Sequence, residues 1–193
     1  MIVEWSLGSK KVDIKKLVIE NLGEDKGKQL LEKTGPKFLQ HADENENSLS
    51  LGVSALKKLL DKLSEKNVDL NSLASLISVS ESPKKQIPGN SFDYISLCNI
   101  HEHVFPIDIN AGCTGFVDAL RIANSLKKPS IIVTSETYSK RINGFERNIT
   151  PIFADGASAT YFNPDQWTVL YESSTIRKNT STAISCTNSL GLK

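Results

Sequence analysis

Apolar and polar residues alternate from Ile2 to Leu7 and stop at Gly8, the pattern of a half-buried strand closed by a turn. Immediately afterwards the period changes. Ile14, Leu17, Val18 and Leu22 recur at helical spacing and Gly23 stands where a helix ends, which predicts a short amphipathic helix over 13–22. The segment from Gly27 to Gly35 closes on Thr34-Gly35-Pro36, a turn signal, and opens into a polar stretch with His41, Asp43, Glu44 and Glu46 that reads as a solvated loop. From Ser48 the spacing of Leu49, Val53, Leu56, Leu60 and Leu63 gives the clearest helix, with lysines 57, 58 and 62 among its polar residues, placed to cover one face of a sheet. Strand-length apolar runs follow at 73–79, 104–109 and 130–134, separated by helix-like segments at 91–98 and 114–126. Two further strands are expected at 149–153 and 157–162, around Asp155-Gly156. The alternation argues for an α/β domain.

Composition narrows the classes of function. Of 193 residues, 39% are hydrophobic and 23% charged, as in ordinary globular proteins, and a chain this long buries roughly 70% of its extended surface. Lys and Arg number 23 against 22 Asp and Glu, a net charge of +1, without the basic excess that phosphate backbones attract, so nucleic acid is not the expected partner. No apolar run approaches a membrane span, and the start Met1-Ile2-Val3-Glu4-Trp5 has no basic region followed by a long apolar one, so no secretory signal is expected. Three cysteines give no disulfide framework and fit a reducing, cytoplasmic setting. Beyond Glu172 the chain turns rich in Ser, Thr and Asn and loses both periods, which divides it into 1–169 and a tail, or the start of something further, over 170–193.

The chemistry concentrates at Asp108-Ile109-Asn110-Ala111-Gly112-Cys113-Thr114-Gly115-Phe116. A strand ends, small residues permit a sharp turn, and Cys113 stands where a helix begins, beside free N–H groups and the positive end of the helix dipole. That setting favours thiolate, and the same N–H groups would stabilise an oxyanion on a thioester under attack. A small cysteine simply packed under a helix is the equally weighted alternative. Other constellations carry less. Cys98, His101 and His103 form a C-x2-H-x-H cluster without an evident fourth ligand, so packing is the better reading than a metal. A role for His101 or His103 as base for Cys113 would need an unsignalled turn. Asp155-Gly156 reads as a tight turn with a local hydrogen bond rather than as a catalytic acid. The glycines form no phosphate-binding loop. Lys127-Lys128 reads as a solvated helix end.

The segment from Asp108 through Val117-Asp118-Ala119-Leu120 resembles the nucleophile segment of the β-ketoacyl-acyl-carrier-protein synthase III group of the thiolase-like superfamily, and Cys113 aligns with its active-site cysteine. Phe153-Ala154-Asp155-Gly156-Ala157-Ser158-Ala159 is similar to the family's F-G-D-G-A-x-A motif, and Ile131-Ile132-Val133-Thr134-Ser135-Glu136 to the strand between the two. Lys33-Thr34-Gly35 and the strand and loop from Leu73 to Ser82 match more weakly. The resemblance runs from about Ile2 to Val169. It implies the N-terminal half only of a layered thiolase-like fold, βαβαβαββ, a mixed sheet with helices on both faces. It also implies acyl transfer from a thioester to Cys113, then decarboxylative condensation with a malonyl thioester once the second half is present. Acyl-CoA or acyl carrier protein thioesters are the implied substrates, with no metal or redox cofactor, and a homodimer is the implied assembly. The family's catalytic histidine and asparagine belong to the second half, and His41, His101 and His103 all precede Cys113. Where the family places a tryptophan and an arginine against the nucleotide of coenzyme A, this chain has Gln29 and Lys33, so an acyl donor on carrier protein is as plausible as coenzyme A. The alternative is a non-catalytic half-domain, truncated or paired with a partner chain that completes the site.

Overall fold

The computed structural model describes residues 1–142, 144–170 and 173. Its main sheet has five strands in the order β1 (Ile2–Leu7), β7 (Gly156–Phe162), β6 (Ser130–Glu136), β4 (Ser75–Val79), β5 (Phe105–Ile109). β4 is parallel to both β5 and β6, whereas β7 runs antiparallel to β6 and β1. All five residues of β4 are buried, as a central parallel strand requires, which is why its sequence reads as a continuous apolar run.

α3 (Ser48–Glu65) covers one face. Asn47 and Ser50 form a reciprocal capping box at its start. Leu49, Ala55, Leu56, Leu59 and Leu63 turn inward onto Leu76, Ile131, Val133, Ala159 and Tyr161. Two lysines named in the sequence pattern tie the helix to the edge strand: Lys62 pairs with Glu4, and Lys58 donates to the Trp5 carbonyl at 3.0 Å. α4 (Asn90–Leu97) lies beside α3, close enough that a Cβ on Gly52 would sit 2.0 Å from the Tyr94 hydroxyl, so glycine is required there. α5 (Gly115–Ser125) covers the opposite face, where Ala119 and Ala123 pack among Ile77, Val79, Ile132 and Phe162. Helices on both faces of a mixed sheet, in the order β1-α3-β4-α4-β5-α5-β6-β7, are the expected βαβαβαββ half-fold.

Three local expectations need correction. Between β1 and α3 the chain builds more than one helix and a loop. β2 (Lys10–Asp13) pairs antiparallel with β3 (Phe38–His41), and α1 (Ile14–Leu22) is followed at once by α2 (Glu24–Leu31). The polar stretch around His41 is therefore partly ordered strand, held by burial of Leu39 against Ile14 and Val18. Residues 149–153 are not a strand. Ile149 and Thr150 N–H both donate to the Glu146 carbonyl, Glu146 N–H donates to Thr150 Oγ1, and Pro151 has no N–H for a ladder. Asp155 consequently sits in no hairpin turn, and its bonds are long-range. Its carboxylate accepts from Ala42 N–H at 2.7 Å, from Ser139 N–H at 2.9 Å and from the Ser139 hydroxyl, at a buried junction of β1, β3 and the segment after β6. Gly156 has no left-handed φ. The expected tail over 170–193 lies, apart from Leu170 and Ser173, outside the described residues, and so does Cys186.

Candidate active site

Parallel strands leave a crevice beyond their carboxyl ends, where the loops from adjacent strands converge. β4, β5 and β6 end side by side at Val79, Ile109 and Glu136. The candidate nucleophile lies just past the second of these. Asn110 and Ala111 leave β5, a single 3-10 turn spans Gly112–Thr114, and α5 starts at Gly115. Cys113 is exposed within this turn, two residues ahead of the helix rather than directly at its first residue.

Two glycines shape the loop. Gly112 has φ +55°, in the left-handed region that side chains disfavour, and Gly115 lets α5 approach β4 so closely that a Cβ there would sit 2.5 Å from Val79 Cγ1. The turn is closed by Thr114, whose hydroxyl donates to the Ala111 carbonyl at 2.9 Å and lies 3.2 Å from Asp118 Oδ2. Asp118 itself places negative charge in the first turn of α5, as the helix dipole favours.

The loops after β4 and β6 meet beside the Cys113 turn. Glu136, the last residue of β6, accepts from Glu81 N–H at 2.6 Å, from Ser82 N–H at 3.0 Å and from the Ser82 hydroxyl. Burial holds its carboxyl above the ordinary carboxylate range, although these hydrogen bonds oppose the shift. Asp108 accepts from Ser91 N–H and the Ser91 hydroxyl at the start of α4. A cavity of about 250 Å³ opens between these loops, lined among others by Glu81, Lys85, Asp108 and Asn110. Glu81 and Glu136 were not singled out by the sequence, because neither sits in a motif with a chemical signature and the strand ends alone bring them together.

The histidines lie elsewhere. His101 and His103 precede β5, about 13 Å of strand from its carboxyl end. His101 Nε2 lies 3.1 Å from the Leu70 carbonyl, and the two rings are 6.2 Å apart. Cys98 is nearby and half-buried, and desolvation pushes its thiol up. Among the described residues no three His, Cys, Asp or Glu side chains are grouped to hold a metal. His41 lies 3.2 Å from the Phe153 carbonyl. Gln29, on α2, and Lys33, just after it, are both exposed, as are Lys127 and Lys128. No helix among the described residues is long and apolar enough to cross a membrane.

The profile of the 3-oxoacyl-[acyl-carrier-protein] synthase III family matches residues 107–176, which include Cys113. The fold agrees: a 3-oxoacyl-(acyl-carrier-protein) synthase from Burkholderia xenovorans superposes with a TM-score of 0.75 and 24% identity, over 82% of this chain and 46% of that one. The chain is similar to about half of a synthase III. A 3-oxoacyl-[acyl-carrier-protein] synthase III from Aquifex aeolicus gives a TM-score of 0.69 at 25% identity, over 82% and 51% of the two chains. By sequence, a β-ketoacyl-[acyl-carrier-protein] synthase III of Clostridium perfringens is 33% identical over 128 residues, 60% of this chain and 36% of the relative. A second, from Staphylococcus epidermidis, is 30% identical over 145 residues, 72% and 43%. The chain thus spans between about a third and a half of the length of these synthase III relatives.

Proposed function

We propose that this chain provides the nucleophile of a synthase III-type site and that Cys113 is its acyl acceptor. The observation that carries the reading is the exposed Cys113 in a 3-10 turn at the carboxyl ends of three parallel strands, leading into α5, inside the segment that matches the family. Cys113 Sγ attacks the carbonyl carbon of an acyl-CoA or acyl carrier protein thioester, the new C–S bond forms, and the carrier leaves as its thiol. N–H groups at the helix start offer oxyanion stabilisation. Exposed Gln29 and Lys33 supply no aromatic surface for a nucleotide, which keeps carrier protein level with coenzyme A as donor.

Condensation with a malonyl thioester then needs a histidine and an asparagine from a second half, in a continuation of the chain or on a partner. A homodimer through the free edge of β5, with Phe105 exposed, and a cytoplasmic location complete the reading. The second reading is a non-catalytic half-domain, favoured by the place of His101 and His103 at the far end of β5. Incubation with acetyl-CoA and with acetyl carrier protein, followed by peptide mass spectrometry, decides between them. An acetyl adduct on Cys113 that is lost in Cys113→Ser supports the enzyme reading, and an unmodified Cys113 supports the half-domain.

A further inference from the structure

Glu81 presents its carboxylate to the backbone of the Cys113 turn. A Cβ built on Gly112 would sit 2.8 Å from Glu81 Oε1, so this oxygen stands no more than about 4.3 Å from the Gly112 Cα, and the Cα of Cys113 is about 3.8 Å further along the chain. The missing side chain of Gly112 is what makes room for it. Glu81 is also held in place from behind, because its own N–H and both donors of Ser82 are anchored on the Glu136 carboxylate.

The other charged groups around the turn are committed. Glu136 accepts those three bonds, Asp108 accepts two from Ser91, Asp118 faces the Thr114 hydroxyl, and Lys85 is paired with Asp93 at 3.0 Å. The Glu81 carboxylate has no hydrogen-bond partner among the described residues, and it faces the cavity beside the turn. His101 and His103 lie at the opposite end of β5, and His41, beside Gly8 on the β1 side of the sheet, has its ring 3.2 Å from the Phe153 carbonyl.

Resting on the reading of Cys113 as acyl acceptor, we propose that Glu81 is the acid–base residue of the site. Its carboxylate takes the thiol proton as Sγ attacks the thioester carbonyl. As the bond between the carbonyl carbon and the carrier sulfur breaks, the carboxylic acid returns that proton to the departing thiolate. The products are the acyl-cysteine and a free carrier thiol, Glu81 ends as it began, and no further reactant enters.

The test is the rate of Cys113 acetylation by acetyl-CoA in the full chain, read by mass spectrometry against pH, for wild type, Glu81→Gln and Glu81→Asp. Glu81→Gln is expected to slow acetylation about 100-fold, with partial rescue by Glu81→Asp. Iodoacetamide alkylation of Cys113 at pH 9, where hydroxide supplies the thiolate, is expected to stay unchanged in both variants. Equal acetylation rates in wild type and Glu81→Gln overturn the proposal while leaving Cys113 as acceptor. A parallel loss of alkylation at pH 9 overturns it as well, since the effect is then structural. If Glu81→Gln does not fold, Glu81→Asp decides: slowed acetylation with unchanged alkylation at pH 9 supports Glu81, and acetylation as fast as in wild type refutes it. No acetylation of wild-type Cys113 refutes the acyl-acceptor reading itself.

Discussion

Two cysteines within one chain experience opposite surroundings, and their chemistry should diverge accordingly. Cys98 ends α4 half-buried, where desolvation disfavours the thiolate, while Cys113 is exposed in the turn before α5. Iodoacetamide at neutral pH is therefore expected to label Cys113 first, as mapped by peptide mass spectrometry, and equal or faster labelling of Cys98 would remove the case for a nucleophile at 113. Glu136 carries a second prediction. Its folded-state pKa is raised by burial, so the folded form holds its proton more tightly than the unfolded chain does. The stability from this group is complete below the ordinary glutamate range and is lost as pH rises through the raised value. Asp43 and Glu46 are shifted downward by backbone hydrogen bonds and act in the opposite sense. The diagnostic quantity is thus a difference: from pH 4 to 7 the urea midpoint of wild type should fall relative to that of Glu136→Gln. A constant difference across that range would show that Glu136 does not titrate with folding.

At the scale of elements, α3 is where pattern and packing agree most fully. Leu59 is completely buried between α3 and the sheet, and Leu59→Ala should cost about 2–5 kcal/mol in urea unfolding. A loss below 1 kcal/mol would mean that the helix does not seat on the sheet as described. The elements legible in advance carry a pattern along their own length: α3 and α5 bury a face of helical period, β4 is buried throughout, and β1 alternates although its apolar Val3, Trp5 and Leu7 are the exposed residues. Where burial is sparse or the partner is distant, local pattern fails. β3 keeps only Leu39 buried and leaves Phe38 exposed, so its four residues show no alternation, and its pairing with β2 spans the two intervening helices. Asp155 looked like a turn residue because its neighbours suggest strands. Its actual partners, Ala42 and Ser139, lie 113 and 16 residues away, a distance no local reading covers. The same limit applies to the site. The turn residues flanking Cys113 announce a strand-to-helix junction, whereas Glu81 and Glu136 reach it only because β4 and β6 lie beside one another.

For the whole molecule, coverage of the sheet is uneven. α3 and α4 close one face, but α5 alone lies on the other, over β4 and β6, and the outward residues of β1, Val3, Trp5 and Leu7, stay exposed, with Trp5 60% accessible. Val117 on α5 is exposed as well, so the sheet and helix that frame Cys113 are bare on one side. Acyl transfer asks for a nucleophile, an oxyanion contact and a proton relay, the roles proposed above for the Cys113 turn and the Glu81 loop. Decarboxylative condensation asks for more, because charge then develops on a malonyl-derived enolate and needs donors aimed at it from across the acyl group. His101 and His103 stand at the other end of β5, and His41, beside Gly8 past the end of β1, has its ring 3.2 Å from the Phe153 carbonyl. Loss of one such donor commonly costs about 100-fold or more in rate, so loss of the whole set should leave condensation undetectable. The chain alone, given acetyl-CoA and then malonyl-CoA, is accordingly expected to carry acetyl on Cys113 and to release neither carbon dioxide nor a β-keto product. Appearance of the β-keto product would show that one half-fold holds a complete site, and would return His101 or His103 to consideration despite the length of strand between them and the nucleophile.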